Sequence, residues 1–152
     1  VSDGVNVALH CSYRLSDRGS GVYADDGHKL TDGVTDGYYA DHLSVGWHIP
    51  QAGEPLRVTM DLDLGRACSI LLITQQYGAG QGSYNPDEVR VYASQDADQY
   101  QEIGSAHFGS EGAALLWLRL EQPVVATHLR FELGSLGVGR RRDAWGGIGI
   151  GL

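Results

Sequence analysis

A chain of 152 residues with a formal charge of −8, 22 glycines, 8 tyrosines, 3 tryptophans and 4 prolines is sized for one core and composed for a turn-rich globular fold. Its acidic balance excludes nucleic acid as the partner, because neutralising phosphates needs a basic face. No apolar run approaches the roughly 20 residues that cross a bilayer, and the opening "VSDGVNVALHCSY" has neither the basic nor the apolar region of an export signal. The expectation is an excised module, one domain over residues 1–152, with any export signal outside it.

In chain order, the first strand-like segment surrounds Cys11. It is followed by "DDGHKLTDGVTDGYYADH", Asp25 to His42, whose five aspartates and three glycines leave too little apolar surface for a regular element. Trp47 and His48 come next in "VGWHIP", where Trp47 is open to two readings, core packing or ligand contact. "EPLRVTMDLDL" then alternates Leu56, Val58, Met60, Leu62 and Leu64 with polar residues, which predicts a half-buried strand. Met60 and Leu62 are expected inside, with Arg57 and Asp61 on the opposite, change-tolerant face.

Shorter strand-like runs follow in "CSILLITQ", "DEVRVYAS" (Val89, Val91, Ala93), "ALLWLRL", "THLRFEL" (Leu129, Phe131, Leu133) and "GIGIGL" (Ile148, Ile150, Leu152). Trp117, inside "LLWLRL", reads as structural. Glycine, asparagine, aspartate and proline clusters such as "YGAGQGSYNPD" and "GSLGVGRRRDAWGG" separate the runs, and no amphipathic helix of three turns is present. Several short strands with no crossover helices predict an all-β fold, an antiparallel two-sheet β-sandwich of jelly-roll type.

The order "LTDG", "VGW", a strand ending in "DLG", then "YNPDEVRVYASQDADQYQEIG" resembles the discoidin-like or galactose-binding-like β-sandwich modules. These include carbohydrate-binding modules and coagulation-factor C-type domains. Val89, Val91, Tyr92, Ser94, Asp96, Tyr100, Ile103 and Gly104 fall on that family's hairpin pattern. The resemblance implies a structural calcium in the loop that holds the "DG" turn, bound by one aspartate and several carbonyls. It points to Asp32 as the side-chain ligand, with carbonyls of Lys29, Val34 and Thr35 or the Thr35 hydroxyl, and Asp36 as a second carboxylate. The chemistry is consistent, since calcium takes six to eight hard oxygens and a glycine-punctuated loop can turn carbonyls inward. In "GGIGIGL", Gly149 stands where the family carries a glutamate. The alternative is a solvated acidic loop whose aspartates cap turns.

Cys11 and Cys68 are open to two readings as well. A bridge would close a loop of more than fifty residues, for which chain entropy suggests about 4 kcal/mol. Two buried thiols fit the flanking residues equally.

Residues able to meet a ligand sit in three loops. Gln76, Tyr77 and Tyr84 border "GAGQGS", Trp47 and His48 follow "SVG", and Trp145 follows "RRRD". Aromatic faces stack on the C–H patches of sugar rings, while Gln, His and Arg hydrogen-bond hydroxyls. Arg140, Arg141 and Arg142 form a cationic turn in an acidic chain, where a guanidinium fork suits a carboxylate or sulfate. A solvated turn is the plainer alternative.

Catalytic signatures are poor. No H-E-x-x-H or G-x-S-x-G occurs, and "GIGIG" has no helix after it. The reading is therefore a non-catalytic carbohydrate-binding module, monomeric, secreted or extracellular, and linked to a catalytic domain of a glycan-active enzyme, with a glycan or polysaccharide, anionic ones included, as its partner. The alternative is a structural or protein-docking sandwich that binds no sugar, and a third is a small β-sandwich lyase or hydrolase. An exposed cluster of Tyr77, Tyr84 and Trp145 favours binding, and a flat apolar face favours docking.

Overall fold

A computed structural model describes residues 5–19, 21, 24–33, 45–48, 56–77, 86–108, 114–135 and 145–149. Its elements are strands: β1 (Ser12–Leu15), β2 (Val45–His48), β3 (Leu56–Tyr77), β4 (Glu88–Ser94), β5 (Gln101–His107), β6 (Ala114–Ser135) and β7 (Trp145–Gly149). Among the described residues no helix is long and apolar enough to cross a membrane. Among the described residues every pairing is antiparallel, in the order β2-β7-β3-β6-β4-β5, with β1 paired to the first half of β3 and β7 to its last residues.

Alternation in β3 does what the sequence predicts. Val58, Met60, Leu62 and Leu64 are buried, with Met60 and Leu62 at 0% exposure. The register carries this face across three strands: Val58–Leu133–Val89, Met60–Phe131–Val91 and Leu62–Leu129–Ala93 form buried rows from β3 through β6 to β4. Each fully buried side chain of this size contributes roughly 1.5 to 3 kcal/mol of transfer free energy, so these rows are the centre of the fold.

Two expected boundaries are corrected. The runs "EPLRVTMDLDL" and "CSILLITQ" belong to one 22-residue strand, and "ALLWLRL" and "THLRFEL" to another. The β3–β6 ladder passes through register shifts between Asp63 and Cys68 and between Ile70 and Leu72. At the first shift Gly65 adopts a φ of 70°, and its N–H donates to the Asp63 carboxylate at 2.8 Å. Such bulges bend a ladder without ending it.

The bends fold the hydrogen-bonded sheet over on itself. The first half of β3 and the second half of β6 lie with β1, β4 and β5; the second half of β3 and the first half of β6 lie with β7 and β2. Residues of both halves share one core, Val45, Trp47, Ile73 and Leu116 together with Met60, Leu62 and Phe131. At Gly104 of β5, a strand not hydrogen-bonded to β6, an added Cβ would stand 2.5 Å from Leu118 of β6. The expected two-layer sandwich is thus built by face-to-face packing of a doubled sheet.

The hairpin pattern also acquires physical meaning. Ser94 Oγ donates to Asp96 Oδ1, which further accepts the N–H groups of Asp98 and Gln99, all at 2.9 Å. This closes the β4–β5 turn and lets Ala97 adopt a φ of 63°. Tyr100 lies under the Arg130 guanidinium, 4.1 Å from its ring centre.

Candidate functional site

Strand register decides which chain ends meet. Tyr77, the last residue of β3, pairs with Ala114, the first of β6, and with Ile148 of β7, while Gln76 pairs with Gly149. His48, the last residue of β2, pairs with Trp145, the first of β7. Since β7 runs antiparallel to β3, Trp145 lies beyond Tyr77 along the strand direction, about 10 Å past the Ile148 rung. The backbones of Gln76, Tyr77, His48 and Trp145 therefore collect at one end of the second layer. The segments that adjoin these strand ends in sequence, 49–55 after His48, 78–85 after Tyr77, 109–113 before Ala114 and 136–144 before Trp145, lie outside the described residues. For these four residues the description covers the backbone; Tyr84, Arg140, Arg141 and Arg142 lie outside the described residues.

Trp47 is fully described and corrects one reading. It is 4% exposed, and its indole N–H donates to the Asp17 carbonyl at 2.9 Å. Its ring packs in the core and ties β2 to the N-terminal segment, so it is withheld from any ligand. The alternation rule accounts for this, since in β2 Val45 and Trp47 share the inner face and both are buried.

Trp117 is corrected in the opposite direction. It is 63% exposed on the outer face of β6, opposite Thr74. The signal was present in the sequence: Trp117 is in phase with Arg119 and Glu121, while Leu116 and Leu120 occupy the buried phase.

The outer face of the first layer carries a ladder of pairs. Asp61, expected to be a tolerant surface group, holds Arg130 through both carboxylate oxygens, at 2.5 Å to Nε and 3.3 Å to Nη2. That bond raises the Arg130 pKa above its ordinary value. Tyr92 donates to Glu132 at 3.1 Å, Arg90 pairs with Glu88 at 3.0 Å, and His128 approaches Asp63 at 3.5 Å. Asp61–Arg130, Tyr92–Glu132 and Asp63–His128 are cross-strand pairs on a solvated face, while Glu88 and Arg90 pair along β4 itself.

The acidic loop has a partly structural explanation. Asp25 Oδ1 accepts the Tyr13 hydroxyl at 2.5 Å, and that hydroxyl accepts the Leu30 N–H at 3.3 Å. Burial, followed by the bond to Asp25, pushes the Tyr13 phenol far up. Asp26 Oδ1 accepts the N–H groups of His28 and Lys29, and these bonds, His28 first, hold its carboxyl below the usual range. Lys29 is buried, with Nζ donating to the Ala24 carbonyl at 2.8 Å. The turn-capping reading thus holds for Asp26, whereas the Asp25 carboxylate is committed to the Tyr13 hydroxyl.

For calcium, the relevant group is Asp32, half-buried and followed by Gly33 at a φ of 81°. A carboxylate beside a left-handed glycine turn is the donor chemistry a hard cation takes, so the described half of the loop fits. Val34, Thr35 and Asp36 lie outside the described residues. Among the described residues no group of three or more His, Cys, Asp or Glu side chains could hold a metal. A set of one carboxylate with carbonyls needs no such group.

Cys11 and Cys68 are free thiols. Cys11 Sγ donates to the Val7 carbonyl at 3.1 Å, and burial, then the neighbouring Cys68, raises its pKa. Both effects disfavour the thiolate.

No protein-family model matches the sequence, and a search of curated proteins finds no match. Solved structures do match. Chitosan-binding module 2 of a chitosanase/glucanase from Paenibacillus sp. IK-5, solved with chitotriose, is 14% identical over 97% of this chain and 100% of that one, with a TM-score of 0.65. A CBM32 module of Clostridium perfringens, solved with GalNAc-β-1,3-galactose, is 18% identical over 91% of this chain and 94% of that one, with a TM-score of 0.59. A Ruminococcus gnavus GH29 fucosidase, solved with fucose, matches 97% of this chain but 26% of the enzyme, at 17% identity and a TM-score of 0.66. At such identities the likeness speaks to the fold, and the chain has the galactose-binding-like, discoidin-type β-sandwich fold that these carbohydrate-binding modules share.

Proposed function

We propose that this chain is a non-catalytic carbohydrate-binding module, an accessory unit of a secreted glycan-active enzyme. The observation that carries the reading is the strand register, which gathers the ends of β2, β3 and β7 and with them the backbones of His48, Gln76, Tyr77 and Trp145. The likeness to modules solved with chitotriose and with GalNAc-β-1,3-galactose supports it. In this reading Tyr77, Tyr84 and Trp145 stack on sugar rings, Gln76 and His48 hydrogen-bond hydroxyls, and Arg140 or Arg141 meets an anionic substituent. Asp32, with Asp36 and oxygens of Lys29, Val34 and Thr35, holds a structural calcium.

An open platform for one or two rings, reduced by the cost of association, gives a dissociation constant on the order of 0.1 to 1 mM. A glycan array followed by calorimetry tests the assignment. Tyr84→Ala and Trp145→Ala weaken sugar binding without lowering the melting temperature, and Arg141→Ala weakens a uronate or sulfated ligand more than a neutral one. Full binding by the double Tyr84→Ala/Trp145→Ala variant would remove this site.

One observation favours the second reading, a docking domain. Trp117 is 63% and Leu71 42% exposed, large apolar side chains of the kind that a docking partner covers. If that face docks on a neighbouring catalytic domain, Trp117→Ser in the joined protein loosens the domain pair in small-angle scattering and leaves the isolated module's sugar binding intact. An unchanged scattering profile would remove the docking role.

A further inference from the structure

A depression of about 400 Å³ lies between the β4–β5 turn and the bend of β6, lined by residues that include Gln95, Asp96, Gln99, Tyr100, Gln101 and Val125. Val124 and Val125 pair with Ile70 and Ser69. Seven residues of β3 separate Ile70 from Tyr77, about 23 Å of strand. The depression is thus far from the Tyr77 end of the second layer.

Its lining is chemically specific. Ala93, Ile103, Val124 and Val125 supply apolar surface, and Val125 is nearly half exposed. Around them stand three side-chain amides, those of Gln95, Gln99 and Gln101, which make no side-chain hydrogen bond among the described residues. Each can both donate and accept. The Tyr100 hydroxyl is likewise without a hydrogen bond there, while its ring is braced by the Arg130 guanidinium that Asp61 holds. Asp96 uses Oδ1 for the turn, and Oδ2 remains as an acceptor.

Apolar ground ringed by amides, a phenol and a carboxylate oxygen matches a pyranose, with its C–H face and its ring of hydroxyls. Charge narrows the class. No lysine lines the depression, Arg130 is committed to Asp61, and the carboxylate present is negative, so an anionic sugar is repelled.

We propose that the depression beside the β4–β5 turn is a second saccharide-contact site that takes an uncharged pyranose unit and rejects a uronate. The inference rests on the glycan-binding reading. It adds a second point of purchase, so that a long or branched glycan reaching both sites gains avidity with no new contact at the first.

The test is a residue-resolved titration of the 15N-labelled chain with galactose, with the uncharged N-acetylated trisaccharide triacetylchitotriose and with trigalacturonate. With at least one of the two sugars other than the uronate, backbone and Gln side-chain amide signals of residues 95–101, and the amides of Val124 and Val125, shift along a saturable curve with half-saturation on the order of 1 mM. Those shifts disappear in Gln95→Ala/Gln101→Ala and persist in Tyr84→Ala. Shifts confined to residues 78–85 and 136–144 overturn the second site while leaving the module reading intact. No shift anywhere overturns both. Equal shifts at residues 95–101 with trigalacturonate overturn the charge argument and with it the ligand class, and a response that never saturates overturns the site.

Discussion

Gly104→Val probes the packing of the two layers directly. A Cβ at Gly104 would meet Leu118 Cδ2 at 2.5 Å, Cδ1 at 2.6 Å and Cγ at 3.1 Å. Ordinary carbon contacts lie at about 3.5 to 4.0 Å, so the methyl intrudes by roughly 1 Å. Rotating the Leu118 tip relieves the two δ contacts but not the γ contact, so the whole side chain has to move. Overpacking of this kind costs about 1 to 3 kcal/mol, with valine at the upper end. Replacing glycine in a strand recovers about 0.5 to 1 kcal/mol of chain entropy. The net loss is about 2 kcal/mol, or roughly 4 to 8 °C in melting temperature for a chain of this length. In a Leu118→Ala background the obstruction is gone, and the same substitution becomes neutral or stabilising, a coupling of about 2 kcal/mol in a double-mutant cycle. Thermal melts of the four proteins give the answer. A melting temperature that rises on Gly104→Val alone refutes the packing of β5 on β6, because valine is favoured on an open strand.

Leu62, with no exposed surface and flanked by Leu129 and Tyr13 across the ladder, should lose about 2 to 5 kcal/mol on truncation to alanine in urea unfolding. Chelation should lower the melting temperature of the native chain and leave Asp32→Ala unchanged, since a ligand bound only to the folded state stabilises it by mass action; identical curves with chelator and with saturating calcium count against the metal. The Asp96 carboxyl is held below its usual range by the N–H groups of Gln99, then Asp98, and the Ser94 hydroxyl. Its contribution is therefore present above the unfolded value of about 3.9 and is lost as pH falls through the lower folded value. Melting temperatures measured from pH 5 to 2 should fall less steeply in Asp96→Asn than in the native chain, and parallel curves would show that the turn does not sense the charge.

Much of the fold was legible because period-2 alternation is a local property that survives into the sheet. Val58, Met60 and Leu62 could be assigned to the core from their spacing, as could Val89, Val91 and Phe131, since each strand has one face to bury. Composition and residue order alone also indicated the sandwich and the resemblance that the solved structures bear out. Tyr84, Trp145 and the arginine turn were nominated from residue type and glycine-rich context alone; Tyr84 and Arg140 to Arg142 lie outside the described residues, and Trp145 opens β7. Tertiary structure decided what depends on partners distant in sequence. Trp47 is in the core because a carbonyl from Asp17 meets its indole, and Asp61 is committed because β6 brings Arg130 across from it. Trp117 is exposed because the phase of a strand, not the apolarity of its neighbours, sets which face a side chain takes. The joining of four apolar runs into two long strands, and the meeting of the ends of β2, β3 and β7, follow from bulges and register, which arise only when strands pair.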